Sequence, residues 1–343
     1  MGCRTRVIGN YHDPSRQIVP GRGNLFVVTI NLPWLALETK GALRPGEDLY
    51  EKFMQDVDDT IDACIQQLDD RFDFVSKRTG KNFPFLVGQG VYLDSEKIGP
   101  DDSVREIMLH GTRTVGFIGL AETLQVLFGK HHGESECAQQ KGLEIIGHMN
   151  DRITQLAKKT NINYSFMGSP AEGCTGRLCR LLRKRFGVIE GITDKEYLTN
   201  SHHVRVDYPI SAYEKVMIEA PYHALEPAGA ISYLELDADT SKNVKAFEQL
   251  VSFMADQNMG YFSINHPVDR DPVCGYIGVI NDTCPRCGRH EGEGVPAGEL
   301  MSLLSYSPDP VYAVRPHMLQ EEADDVVPNT LSSPKFSVVD DVE

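Results

Sequence analysis

The chain opens Met1-Gly2-Cys3-Arg4-Thr5-Arg6 and, after a polar stretch, runs Gly21-Arg22-Gly23-Asn24-Leu25-Phe26-Val27-Val28-Thr29-Ile30-Asn31-Leu32-Pro33. The apolar, β-branched run Leu25 to Ile30 reads as a strand, and Pro20-Gly21-Arg22-Gly23 ahead of it as a hinge. Cys3 is then expected at the tip of a loop that returns into a sheet. Arg4 and Arg6 favour thiolate over thiol there if they lie near the sulfur. Against this stands the ordinary fate of a single cysteine, a small packing residue near a chain start.

Working outward, 343 residues suffice for one large domain or one domain with a small appendage. The net charge of −15 and a pI near 5.2 argue against a general nucleic-acid binder, which needs cations on phosphates. No apolar run reaches 18 residues and no signal peptide is visible, so neither a membrane span nor export is expected. Eight cysteines without framework spacing point to a reducing cytoplasm, with free thiols and a metal site.

Leu49, Phe53, Val57, Ile61, Ile65, Leu68 and Phe72 recur at spacings of three and four, which predicts a long packing helix with a solvated acidic face. Phe85 to Leu93, broken by glycines, reads as strand or loop, and Val115 to Phe128 passes from strand to helix. His131-His132, flanked by Gly129 and Gly133, is read as plain surface. Glu134 to Lys159 is a second long helix, and Asn163 to Met167 a strand. Ser211 to Leu225 is helical with Pro221 inside, and Ile231 to Leu236 is a strand. Ser241 is read as the cap of a helix that buries Val244, Phe247, Leu250, Val251 and Met254, and Tyr261 to Asn265 as a final strand. Strands alternating with helices imply an α/β architecture.

The Asn163–Met167 strand leads into Gly168-Ser169-Pro170-Ala171-Glu172-Gly173-Cys174-Thr175-Gly176-Arg177 and then a helix from Leu178, with basic residues in its last turn and Gly187 just past its end. A small-residue turn feeding a helix N-terminus suits an anion, because free backbone N–H groups and the helix dipole both face it. An ordinary strand-to-helix connection is the bland alternative.

The second strong signal is Cys284-Pro285-Arg286-Cys287-Gly288, with Cys274 a short hairpin earlier. Two sulfurs in a Cys-x-x-Cys turn can hold one tetrahedral ion, and Cys274 makes a third thiolate. His266, Asp271 and His290 are candidates for the fourth ligand. The glycines and the third cysteine favour zinc over a redox dithiol.

Met1 to Thr5, Gly21 to Leu25 and Thr29 to Pro33 resemble the active-site segment of the anaerobic, class III ribonucleoside-triphosphate reductases, a glycyl-radical family. Through that resemblance Cys3 takes the role of the transient thiyl radical that removes the ribose 3′ hydrogen, and Asn24 that of holding the ribose hydroxyls. Ser169-Pro170-Ala171-Glu172-Gly173 resembles the loop that receives the nucleotide phosphates, so the backbone of Ser169, Ala171, Glu172 and Gly173 is expected at the substrate. Tyr197 to Val204 resembles a block of the barrel wall, in which His202 and His203 either contact substrate or are internal hydrogen-bonded histidines.

The fold so implied is part of a ten-stranded glycyl-radical-type α/β barrel over residues 1–265, a small zinc ribbon over 266–294, and an acidic disordered tail over 295–343. Family members carry two Cys-x-x-Cys pairs in the ribbon. Asp271 stands here where the first cysteine of the leading pair falls, and His266 is taken as the fourth ligand beside Cys274, Cys284 and Cys287, since imidazole commonly completes a thiolate zinc site.

The implied activity is reduction of ribonucleoside triphosphates to 2′-deoxyribonucleotides, with the glycyl radical made by a radical S-adenosylmethionine activating protein. Family members carry several hundred residues ahead of the Met-Gly-Cys-Arg motif and an Arg-x-Thr-Gly-Tyr type segment after the ribbon. Neither occurs in this sequence, and no radical glycine is identified. A C-terminal fragment or split subunit is therefore expected, working as a homodimer or with a chain bearing the missing barrel half. The alternative is a noncatalytic, zinc-stabilised fragment that binds nucleotide or a partner.

Overall fold

The computed structural model describes residues 4–236, 243–265, 269–271, 273–278, 280 and 283–290. Its centre is a three-stranded sheet, β1 (Asn24–Asn31), β2 (Thr112–Ile118) and β3 (Tyr164–Gly168), in the order β1-β2-β3. Both pairings are parallel: Val28 stands opposite Val115, and Val115 opposite Phe166. Parallel strands need crossover connections, and the helices between them supply these.

Asn31 caps α1 (Leu32–Ala42) by accepting from the Trp34 amide, with Pro33 in the first turn where its missing N–H costs nothing. The sequence did not suggest this helix. Asp48 caps α2 (Leu49–Ser76), which buries Phe53, Val57, Ile61, Leu68 and Phe72 as its periodicity requires. A single turn, α3 (Arg105–Met108), precedes β2. Gly119 (φ 76°) then starts α4 (Leu120–Phe128), and α5 (Glu136–Thr160) carries Ile145, Ile146, Met149 and Ile153 into the same core.

The acidic face of α2 is not simply solvated. Asp69 accepts from Arg113 on β2 and from the Tyr164 hydroxyl on β3, each at 2.6 Å. Asp58 meets His148 at 2.7 Å and Asp62 meets Arg152 at 2.7 Å, both on α5. The row of carboxylates that looked like a water-facing surface ties the helix to sheet and neighbour.

After β3 come α6 (Glu172–Phe186), α7 (Ala212–Leu225) and α8 (Val244–Asp256). Strands β4 (Ser232–Glu235) and β5 (Phe262–Asn265) form a separate two-stranded sheet. The expected last barrel strand therefore does not join β1–β3, and among the described residues the strands do not close a barrel. Of the expected inward face of α8, Leu250 and Met254 are buried while Val244 and Phe247 are exposed; Ser241 lies outside the described residues. Phe85 to Leu93 is loop.

The chain divides into two compact units, residues 1–234 with 244–263, and residues 235–243 with 264–343. Within the second, β6 (Asp269–Arg270) and β7 (Ile277–Gly278) form an antiparallel hairpin, followed by a turn at 284–288. The tail at 295–343 lies outside the described residues.

Candidate functional site

The chain from Arg4 to His12 runs alongside β3. Arg6 N–H donates to Ala228 O (2.7 Å), Ala228 N–H to Phe166 O (2.9 Å), and Gly168 N–H to Gly229 O (2.9 Å). The 228–229 turn is thus bonded on one side to the edge of β3 and on the other to residue 6. Further on, the Tyr11 amide donates to the Asn163 carboxamide (2.7 Å), just before β3 begins.

Arg4 is 2% exposed, so its guanidinium must be satisfied by protein. It donates to Ser169 O (3.3 Å) and Ser201 Oγ (3.1 Å), and its other terminal nitrogen reaches Tyr233 Oη (3.5 Å). Arg6 reaches Glu226 O at 3.4 Å. Both arginines fasten the loop, to the turn after β3 and to the end of α7. Cys3 lies outside the described residues.

Ser169 is the hub of that turn. Its amide donates to Phe117 O (3.3 Å), its carbonyl accepts from Arg4 and from Ser201 Oγ (3.2 Å), and its hydroxyl pairs with Thr29 Oγ1 (2.7 Å). This corrects the expectation that Ser169 offers a free backbone N–H to an anion; its amide is spent on holding the turn. Helix α6 begins at Glu172, earlier than its apolar spacing suggested, with buried Ala171 at the cap position and no capping side chain. Gly173 is exposed, and a Cβ there would meet nothing within 4 Å, so no packing demand explains the glycine. The Cys174 and Thr175 amides of its first turn donate to Ala171 O, each at 3.0 Å.

Asn24 stands apart from this group. It opens β1, where its carboxamide oxygen accepts from the Thr112 hydroxyl. Five residues of strand, about 16 Å at the usual rise, separate it from Thr29, the β1 residue that meets Ser169. The structure gathers Arg4, Ser169, Ser201 and the start of α6, and leaves Asn24 outside.

Behind Ser201 lies a buried polar cluster that the sequence signalled only in part. His202 and His203 are 0% and 7% exposed. His202 Nδ1 lies 2.6 Å from Glu226 Oε1, and His203 Nε2 donates to Ile231 O (2.7 Å). They are internal, hydrogen-bonded histidines. Desolvation holds the pKa of each down to about 3. Burial pushes Glu226 well above the ordinary carboxyl range. Burial also penalises the Glu219 carboxylate, yet Lys215 and the adjacent histidines hold it below its usual value.

Glu219, His223 and Glu226 were missed although Glu219 and His223, four apart, share one face of α7 and Glu226 caps its end. His131 and His132, read as surface, are each 2% exposed: His132 bonds His202 O (2.8 Å), and His131 packs edge-on against Tyr208. Gly133 marks a close approach rather than an open loop, since a Cβ there would lie 2.8 Å from Val204.

In the second unit, Asp271, Cys274, Cys284 and Cys287 each place a ligand atom within 4.8 Å of the others. Cys274 and Cys284 sulfurs are 3.7 Å apart, and Cys287 Sγ is 3.4 Å from Asp271 Oδ2. A tetrahedral ion with bonds of about 2.3 Å to sulfur and about 2.0 Å to oxygen sets these edges at about 3.8 and 3.5 Å, so the group fits zinc. The other Asp271 oxygen accepts from the Val273 and Cys274 amides, fixing the carboxylate. His266 lies outside the described residues, and His290 pairs with Thr283 Oγ1. Among the described residues Asp271 occupies the fourth position.

Residues 1–296 match the family profile described as anaerobic ribonucleoside-triphosphate reductase. The chain is 32% identical over 317 residues to the enzymes of that name from Haemophilus influenzae and Escherichia coli, covering 90% of this chain and 43% of each relative. It is 32% identical over 295 residues to that of Enterobacteria phage T4, covering 84% and 46%. The chain thus spans less than half the length of these relatives.

Among solved structures, the fold resembles the anaerobic ribonucleotide reductase of Thermotoga maritima with MES in the active site (TM-score 0.58, 18% identity, 84% of this chain and 44% of that one). It also resembles the same enzyme in complex with dATP and CTP (TM-score 0.55, 18% identity, 79% and 41%). The mixed α/β fold is shared, and the profile covers all but the last 47 of 343 residues: this chain belongs to the anaerobic ribonucleoside-triphosphate reductase family.

Proposed function

We propose that this chain is the C-terminal portion of the catalytic body of an anaerobic ribonucleoside-triphosphate reductase, acting as a fragment or split subunit in reducing ribonucleoside triphosphates to 2′-deoxyribonucleotides. The observation that carries this reading is the anchoring of Arg4 on the turn that opens α6. It couples Arg4, the last residue of the Met-Gly-Cys-Arg motif, to a helix N-terminus suited to phosphates. The amides of Ala171, Glu172 and Gly173 are assigned to the triphosphate. Cys3 is the residue whose S–H bond is exchanged for the ribose C3′–H, and Asn24 is retained as a ribose contact on the family resemblance alone.

The glycyl radical, made by a radical S-adenosylmethionine activating protein, supplies the one-electron oxidation that this exchange needs; the radical glycine is assigned to no residue of this chain. The partner is a second copy or a chain bearing further barrel strands, in a cytoplasmic setting. Among the described residues no helix is long and apolar enough to cross a membrane. Zinc is assigned to Cys274, Cys284 and Cys287 with Asp271, in preference to His266, as a structural ribbon.

The test is anaerobic reconstitution with an activating protein, with and without the proteins encoded on either side, read by electron paramagnetic resonance and by deoxyribonucleotide formation. A radical doublet and turnover that need a neighbouring chain support a split subunit. Retained triphosphate binding with no doublet in any mixture favours the noncatalytic fragment instead. Absence of triphosphate binding overturns the reading.

A further inference from the structure

His202, His203 and Glu219 each place one ligand atom within 4.8 Å of the others, and all three are buried. Two imidazoles and a carboxylate are a donor set for a divalent first-row transition ion. The usual competing explanation is a closed hydrogen-bond network, but here the network does not close. His202 Nε2 and Glu219 Oε2 are buried and have no partner.

The remaining atoms are committed in the way metal ligands usually are. His203 Nε2 faces a carbonyl, which only accepts, so that nitrogen carries the proton and Nδ1 presents its lone pair. His202 Nδ1 is committed to Glu226, which leaves Nε2 as the ring nitrogen that faces the interior. Glu219 Oε1 is held by the Val204 amide (2.9 Å) and by Lys215, leaving Oε2 to the interior. Each candidate ligand thus has one atom fixed by a carboxyl, a carbonyl or an amide, and His202 and Glu219 leave the other bare, which is the arrangement that orients ligands around an ion. His223, by contrast, is spent on both nitrogens, by Ser232 Oγ and the Gly260 amide.

We propose that His202, His203 and Glu219 form a second metal site, distinct in chemistry from the thiolate group, which takes a divalent transition ion such as zinc through two imidazoles and one carboxylate. An ion with bonds of about 2.1 Å holds donors about 3.4 Å apart, so binding draws the three side chains inward from their present spread. The role assigned is structural. The site pins the 201–204 turn to α7, and Ser201 is one of the groups that hold Arg4.

The test uses the full chain, stripped with chelator under anaerobic conditions, and titrated with Zn2+ or Co2+. Two equivalents per chain are expected; a total of one overturns the proposal. A Cys284→Ser, Cys287→Ser chain is expected to keep one equivalent, with a nitrogen and oxygen shell by X-ray absorption and no sulfur-to-cobalt charge-transfer band. Adding His203→Gln or Glu219→Gln is expected to lower that content at least tenfold with the far-ultraviolet circular dichroism unchanged. Binding that survives both substitutions refutes the assignment. Should the substituted chains not fold, the stoichiometry and ligand shell of the intact chain decide.

Discussion

Substituting Gly229 by alanine tests how the segment after Cys3 is fixed. Gly229 has φ 144°, a conformation that L side chains rarely adopt, and a Cβ there would lie 2.0 Å from Arg4 O and 2.7 Å from Arg4 C. A carbon needs roughly 3.3 Å from a carbonyl oxygen, so residues 4–6 must retreat by roughly 1.3 Å. Such a shift breaks the 2.7 Å bond from Arg6 N–H to Ala228 O. The lost bond costs about 1 kcal/mol and the backbone strain about 1–3 kcal/mol, for a total of about 2–4 kcal/mol. For a domain of this size that lowers Tm by about 4–16 °C.

The assay is thermal unfolding paired with hydrogen exchange at the Arg6 amide, and the control is Gly46→Ala. Gly46 also has positive φ (91°), but a Cβ there would meet nothing within 4 Å, so it carries the strain without the collision. Gly229→Ala is expected to unfold several degrees below Gly46→Ala and to lose protection at Arg6. Equal melting temperatures with the Arg6 amide still protected would refute the claim that residues 4–6 are held on this turn.

Asp69→Ala is expected to destabilise the chain by about 1–3 kcal/mol in urea, because it strands the buried Arg113 guanidinium and the Tyr164 hydroxyl; Asp69→Asn recovers part of this. Hydrogen bonds from Arg16 and Lys97 hold the Asp94 carboxyl well below the usual carboxylate range. Its folded pKa being the lower one, its contribution is complete above about pH 4 and is lost as pH falls through the folded value, so Asp94→Asn flattens the acid limb of a Tm–pH curve. Asn suits the left-handed backbone at this position (φ 63°), and an unchanged acid limb would show the pair to be idle. Asp271→Cys is expected to strengthen the sulfur-to-cobalt charge-transfer band of the Co2+-loaded thiolate site and to slow its loss to chelator, with Asp271→Ala doing the reverse. Equal behaviour of both variants and the parent would remove Asp271 from the ligand set.

The packing surfaces were readable wherever a period was long enough. Seven apolar positions along α2 fixed its length and buried face, and the β-branched run after the Pro-Gly hinge fixed β1. The Cys-x-x-Cys turn was equally legible, because two sulfurs at that spacing have few other uses. What stayed hidden was the polarity of the interior. A charged residue in a sequence carries no mark of whether water or an arginine from 44 positions away will satisfy it, which is why Asp69 passed as solvated. His131 and His132 lay in a loop whose glycines suggest exposure, and only the approach of the 202–204 segment buries them. The α6 start was missed since Glu172 to Thr175 adds no apolar period, while Asn24 matched a motif whose spacing says nothing about distance in the fold.

The bonds from Arg6 to the 228–229 turn and to Glu226 join positions about 220 apart in the chain. At a synthesis rate of 5–20 residues per second the start of the chain waits roughly 11–44 s on the ribosome before its docking turn has been made. The sheet itself can assemble sooner, since β3 is complete by Gly168. The segment that begins at Arg4 thus finds its place well after the β1–β3 sheet. A nascent chain arrested before residue 226 should carry a formed β1–β3 core and an unattached Arg4–Arg6 segment.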